Sequence, residues 1–202
     1  VTPAPPPPRL SEPAPLALAN TVWIDRTGVH DAIADETYAN AWVRAVGEQS
    51  ELTPASHDAE EVAGDAVERL VRLRDAVRRL AAEHTTDPRT VGQSPVPDVS
   101  TAMSIVNAAA TATSVWPELR PDDRGVTRRQ LWAGKSYADA LITLIARQTI
   151  DFVTSPQWRQ LRPCTAPGCA YYFVKDHFRR EWCSALCGNR ARVARHAQRQ
   201  RG

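Results

Sequence analysis

The sequence predicts a mainly α fold with a small β-hairpin (α+β), in which a helical N-terminal domain precedes a C-terminal treble-clef-like zinc module. Three observations carry this prediction. Apolar residues recur at three- and four-residue spacing along Asp35–Glu48, along a long segment ending near His84, and from Ser136 to Thr154; this is the period of an amphipathic helix. Two strand-like runs, Thr113–Leu119 and Val126–Trp132, flank Pro121-Asp-Asp-Arg-Gly125, which has the composition of a turn. All four cysteines, Cys164, Cys169, Cys183 and Cys187, lie in the C-terminal fifth at the spacing C-x4-C-x13-C-x3-C. Two close pairs separated by a short arm are the arithmetic of a tetrahedral Zn2+ site.

The 202 residues are enough to bury a core. No apolar run reaches the ~18 residues of a membrane span, and no targeting segment is recognised. A soluble, cytoplasmic protein without membrane partners is therefore expected. Residues 1–15 are proline-rich, with Pro5 to Pro8 in a row. Such a leader favours an extended, disordered chain or a ligand for a proline-binding domain. Residues 16–156 then form the helical domain. Leu16–Asp25 is its first packed piece; Asn20 and Thr21 lie inside an apolar run, so their polar groups need either backbone partners or a ligand.

In the next helix Tyr38, Ala41, Trp42, Ala45 and Val46 form the apolar face, and Gly47 lies near its end. The long helix after it, capped by Ser56 or Asp58, has the seam Val62, Ala66, Leu70, Leu73, Val77 and Leu80. Arg74 and Arg78 sit beside that seam, fit either for structural ion pairs or for gripping a carboxylate in a fork. After a proline-containing loop, Ser100 is expected to cap a helix carrying Met103, Val106 and Asn107, followed by three alanines. Ser136 caps the last large helix, with Tyr137, Leu141, Leu144, Ile145, Gln148 and Phe152 on one face. Thr154-Ser-Pro156 ends it.

Residues 157–202 form the metal module. Pro167-Gly168 makes a tight knuckle between the first two cysteines. Tyr171-Tyr-Phe-Val174 reads as a short strand. Cys183 and Cys187 are one helical turn apart, so a helix whose first turn donates the last two thiolates is expected. Zinc fits this spacing best; two disulfides, or a redox or iron–sulfur role, are the alternatives. Four thiolates would close the shell around one structural Zn2+ and leave no open position for catalysis.

The terminal helix indicates a partner. Leu186, the Arg190 stem, Val193 and Ala197 are expected to face the finger, with Arg192, Arg195 and Arg199 as an exposed stripe. From Arg159 to Gly202 there are ten Lys plus Arg against two acids, whereas residues 1–158 hold fifteen bases and twenty-one acids. The overall charge of +2 thus conceals two parts of opposite sign. A basic helix on a zinc module suits a phosphate backbone, double-stranded DNA first and RNA or another acidic partner second. Docking on the acidic N-terminal domain is the third reading. In the DNA reading Arg192 and Arg195 approach base edges, Arg179, Arg180, Arg199 and Arg201 contact phosphates, and Arg190 both touches DNA and braces the finger. Such a protein would be nucleoid-associated when bound. A homodimer remains compatible with the sequence.

Cys164-x4-Cys169, Phe173, Asp176, the basic run, Trp182-Cys183-Ser184 and Cys187-Gly188-Asn189-Arg190 together resemble the CGNR zinc finger. Leu16, Asn20, Thr21, Trp23 and Asp25 are similar to the opening of the ABATE domain that precedes such fingers, and Leu73-Arg74 resembles a recurring feature of it. The resemblance implies a stress-induced transcription regulator of bacteria whose N-terminal domain senses a small molecule. A pocket between the long helices, with Asn20, Arg74, Arg78 and Asn107 as its polar groups, is the expected effector site. No catalytic constellation stands out: there is no glycine-rich phosphate loop, no Gly-x-Ser-x-Gly and no histidine pair at i, i+4. An enzyme is not expected.

Overall fold

A computed structural model of the protein describes residues 11–52, 64–123, 125–133 and 136–200. In chain order these hold α1 (Ala14–Ala19), β1 (Val22–Ile24), β2 (Val29–Asp31), α2 (Glu36–Gln49), α3 (Gly64–Thr85), α4 (Val99–Ala110), β3 (Ser114–Asp122), β4 (Gly125–Ala133), α5 (Tyr137–Thr154), β5 (Leu161–Pro163), β6 (Tyr172–Val174) and α6 (Ala185–Arg199). The strands form three separate antiparallel pairs, β1–β2, β3–β4 and β5–β6. The fold is α+β, as the sequence predicts. Among the described residues no helix is long and apolar enough to cross a membrane.

Helix α5 is the hub. Residues from Tyr137 to Ala146 are buried at nearly every position, and Thr149 and Phe152 continue the burial. A helix apolar on all sides belongs at the centre of a bundle. Around it pack Leu18 of α1, Trp42 and Val46 of α2, Leu70, Leu73 and Val77 of α3, and Val106 of α4. Ser136 caps α5 by accepting from the Asp139 amide. Asp35 caps α2 through the Tyr38 amide at 2.8 Å.

Several expectations shift. Asp98, not Ser100, caps α4: its carboxylate accepts from both the amide and the hydroxyl of Thr101, at 2.7 and 2.9 Å. The buried face of α4 is Ala102, Val106 and Ala110, leaving Met103 and Asn107 exposed. In α2 the buried set is Ala39, Trp42, Val43, Val46 and Gly47, a face turned away from Ala41. The turn follows from Gly47, against which Tyr137 of α5 packs so closely that a Cβ there would lie 1.9 Å from the tyrosine oxygen. The hairpin strands are nine residues each, longer than predicted, and pair Ser114 with Ala133 through Asp122 with Gly125. The proposed α3 caps Ser56 and Asp58, its first seam residue Val62, and residues 1–10 of the leader lie outside the described residues. The end of that leader is ordered: Glu12 is buried and α1 starts at Ala14.

The C-terminal module is mounted on α1 and α3. Leu16 and Ala81 share a small apolar cluster with Phe152, Leu161, Tyr172 and Val174. Trp158, in a 3-10 turn over Pro156–Gln160, stacks on His84 at 4.7 Å and meets Phe152 edge-on at 5.2 Å.

Candidate metal centre and nucleic-acid interface

The metal centre is built from three local features. Strand β6 returns the chain to β5, and the Cys164 amide donates to the Tyr171 carbonyl at 2.8 Å. Between the first two cysteines the chain turns at Gly168, whose φ of +66° is left-handed and suits glycine; the Cys169 amide closes this turn on the Ala166 carbonyl at 3.1 Å. Ser184 then caps α6 by accepting from the Cys187 amide. Cys183 therefore precedes the helix rather than sitting within it, and Cys187 lies in its first turn.

All four cysteines are buried and none is in a disulfide. Their sulfurs lie within 4.8 Å of one another. Cys169–Cys183 and Cys169–Cys187 are 3.8 Å apart, and Cys183–Cys187 3.4 Å. A tetrahedron with metal–sulfur bonds of about 2.3 Å has edges of about 3.8 Å. The donor set and its dimensions fit a single Zn2+ held by Cys164, Cys169, Cys183 and Cys187. Hydrogen bonding with Cys169 lowers the Cys164 thiol to about 6, and hydrogen bonding with Cys164 and the other thiols lowers Cys187. Cys169 and Cys183 are pushed up, in each case chiefly by hydrogen bonding with Cys164. A metal takes these ligands as thiolates, so zinc uptake releases protons and weakens as the pH falls.

Arg190 is tied to this centre. Its Nη2 donates to the Cys187 sulfur at 3.0 Å and its Nη1 to the Gly168 carbonyl at 3.3 Å. It joins the knuckle to the helix and offsets thiolate charge, the bracing role expected of it. The backbone of Cys183 also hydrogen-bonds the Cys164 sulfur.

The other arginines divide by environment. Arg180 pairs with the buried carboxylate of Glu12 and with Asp176 at 3.3 Å, and donates to the Val174 carbonyl at 2.9 Å. It is an anchor between leader and finger. Arg195 reaches toward the Trp182 ring, 6.0 Å from its centroid, and donates to the Ala191 carbonyl at 3.4 Å. Arg179 is exposed and stacks on Phe178 at 5.2 Å. Arg192 and Arg199 are exposed. Arg201 lies outside the described residues. The face of α6 also differs from expectation. Cys187, Gly188 and Ala191 are buried, while Leu186 and Val193 are 78% and 62% exposed. The sulfur of Cys187 has to reach the other three, and that requirement fixes the helix's rotation regardless of where its aliphatic residues fall.

The four residues expected to line an effector pocket do not converge on one. Asn20 acts as a detached strand: its Nδ2 donates to the Tyr172 carbonyl at 2.9 Å and its Oδ1 accepts from the Tyr172 amide at 2.8 Å. Arg74 pairs with Asp31 at 2.6 Å and Asp75 at 2.9 Å. Arg78 donates to the carbonyls of Ala19 at 2.7 Å, Ala170 at 3.2 Å and Gly92. Burial lowers its pKa to about 10, so it stays charged at neutral pH. Asn107 is exposed on α4. Long apolar helices do leave a groove of about 460 Å³ between α3, α4 and α5, but Leu73, Ile105, Ala108, Ala109 and Ile142 line it, with Arg69, Arg72 and Asp139 among its polar residues.

Sequence reasoning missed the residues that join the two parts. Arg89 pairs with Asp87 at 2.6 Å and donates to the carbonyls of Cys169 and Tyr171 at 3.3 and 3.0 Å. Tyr172 donates its hydroxyl to the same Asp87 at 2.6 Å. Three residues of the helical domain, Arg78, Arg89 and Asn20, thus bond consecutive backbone groups from Cys169 to Tyr172, beginning at a metal ligand. These partners are far apart in sequence, and only the unusual amide of Asn20 in an apolar run signalled the junction.

Two family models match the chain. One, described as "ABATE: Putative stress-induced transcription regulator", covers residues 12–156, and one described as "CGNR zinc finger" covers residues 160–200. No curated protein matches the chain.

Proposed function

Because the chain belongs to the ABATE family and ends in a CGNR zinc finger, we propose that it is a DNA-binding transcription regulator whose N-terminal domain senses a small molecule. The observation that carries the reading is the mounting of α6. Its first turn is locked by the Cys187 ligand and by Arg190, and the rest of the helix projects Arg192 and Arg199 into solvent, without a partner among the described residues. The ten basic residues from Arg159 onward, set against an acidic remainder, attract a polyanion to this end of the molecule. Arg179, Arg192, Arg195 and Arg199 are the candidate DNA contacts. Arg180 and Arg190 hold the arm and the knuckle that present them.

The groove between α3, α4 and α5 is the site proposed for an effector with a sizeable apolar part, since a few polar groups border an apolar floor. Helix α3 connects it to the finger: Leu73 lines the groove, and Arg78, just over one turn along, holds the Ala170 carbonyl beside Cys169. The test is fluorescence anisotropy of labelled duplexes recovered by genomic selection, with zinc-loaded and chelated protein and with RNA as competitor. Zinc-dependent binding that duplex DNA displaces better than RNA is expected. Absence of duplex binding, or preferential displacement by RNA, contradicts the proposal.

A further inference from the structure

Helix α6 has one face set by the metal and one left to solvent. Cys187, Gly188 and Ala191 are buried. At about 3.6 residues per turn, Leu186, Asn189, Val193 and Ala197 fall together on the opposite side. All four are exposed, Leu186 and Val193 strongly so. The Asn189 amide has no hydrogen-bond partner among the described residues. Arg192 and Arg199 run along one flank of this row as exposed cations, while Arg190, on the other flank, is turned back onto Cys187 and Gly168.

We infer that this row reads A·T base pairs in the major groove of duplex DNA. The inference rests on the DNA-binding reading and adds which side chains specify the sequence. A carboxamide matches the N6 donor and N7 acceptor of adenine, and an aliphatic side chain matches the thymine methyl. Leu186 and Val193 are seven residues apart, about 10.5 Å along the helix, which spans about three base-pair steps of 3.4 Å. Arg192 and Arg199 then meet phosphates on the flank and set the register without specifying it. Arg195, held toward Trp182 and the Ala191 carbonyl, does not belong to the reading row. A second copy of the chain is a poorer occupant of this face. A symmetric pairing of two α6 helices would set their arginine flanks against each other, and like charges in contact are costly.

The experiment is selection from a pool of random-sequence duplexes with the full zinc-loaded protein, its Leu186→Ala, Asn189→Ala and Val193→Ala variants, and a zinc assay on each. Wild type should enrich a motif containing adenine and thymine. Asn189→Ala should lose adenine preference at one position, with a drop of about fivefold or more on the enriched duplex. Replacing thymine by uracil in that duplex should weaken wild type about fourfold per lost methyl contact, the worth of one buried CH2; Leu186→Ala or Val193→Ala should be indifferent to the same change. Leu186 and Val193 have little packing to lose, so these two variants report on recognition even if Asn189→Ala loses zinc. Wild-type binding with the same motif in all variants and no effect of uracil overturns the inference while leaving DNA binding intact. A shift of Leu186→Ala from dimer to monomer with an unchanged motif overturns it in favour of a second copy. Failure of wild type to retain any duplex removes the DNA-binding reading itself.

Discussion

Asn20 carries more of the architecture than its size suggests. Its amide satisfies both backbone groups of Tyr172, within three residues of a zinc ligand. Replacing it by Ala leaves a buried donor and a buried acceptor unmet. At about 1–3 kcal/mol for an unsatisfied buried group, Asn20→Ala should cost about 2 kcal/mol or more in urea unfolding. Asn20→Asp should do no better, because it keeps the acceptor but sets a carboxylate against the Tyr172 carbonyl. Asp87 makes a pH-dependent contribution at the same junction. Burial would raise its pKa, but hydrogen bonds from Arg89 and Tyr172 outweigh this and hold it below the usual carboxylate range. Tyr172 itself is pushed up to about 12 by burial, so its hydroxyl remains a donor. A carboxylate with a lowered folded pKa adds stability above its unfolded value, about 3.9, and loses it as pH falls through the lower folded value. The Asp87 contribution, read as the difference in melting temperature between wild type and Asp87→Asn, should therefore hold from neutral pH to about 4 and shrink below it. Asp87→Asn should melt lower at pH 7 and show a shallower acid limb. An acid limb identical to that of wild type would remove Asp87 from the account.

At the scale of elements, local chemistry was legible and rotation was not. The start of α5 at Ser136, the Pro-Gly knuckle and the β6 segment follow from residue types a few positions apart. Ser100 lost the α4 cap to Asp98, which reaches the Thr101 amide and hydroxyl together. The faces of α2 and α6 turned because a contact from outside the helix decides them: Tyr137 over Gly47 in the first, the sulfur cluster in the second. Hydrophobicity alone puts Leu186 and Val193 inside; metal geometry puts them outside. The Gly47 contact gives a signed prediction. Ala is favoured over Gly in a helix by about 1 kcal/mol, but its Cβ would lie 1.9 Å from the Tyr137 oxygen and 2.8 Å from Cζ. Overpacking costs of about 1–3 kcal/mol should prevail, so Gly47→Ala destabilises. Adding Tyr137→Phe, which removes the nearest atom, should restore part of the loss. A more stable Gly47→Ala would show that Tyr137 moves freely.

At the scale of the molecule, two clusters fold around different causes. The main apolar cluster draws only on residues 17–146, while the cysteine cluster draws only on residues 164–187. Chelation, or Cys169→Ser, should therefore unfold the finger and leave the helical core, seen as a small loss of helical signal followed by a separate, later transition on heating. A single transition at a much lower temperature would mean that the core depends on the metal. The boundary and the opposite charges of the two parts were readable from cysteine placement and charge counts, but their junction was not, because Glu12, Asn20, Arg78 and Arg89 find their finger partners 80 to 168 residues away. The central claim is that this junction presents a zinc-locked basic helix to DNA. Its most direct test is the salt dependence of binding between the zinc-loaded protein and a selected duplex. With Arg179, Arg192, Arg195 and Arg199 as the candidate contacts, the slope of log K against log salt should be about −3 to −4, and Arg192→Ala should flatten it by about one. A slope near zero, or one that Arg192→Ala leaves unchanged along with affinity, would contradict it.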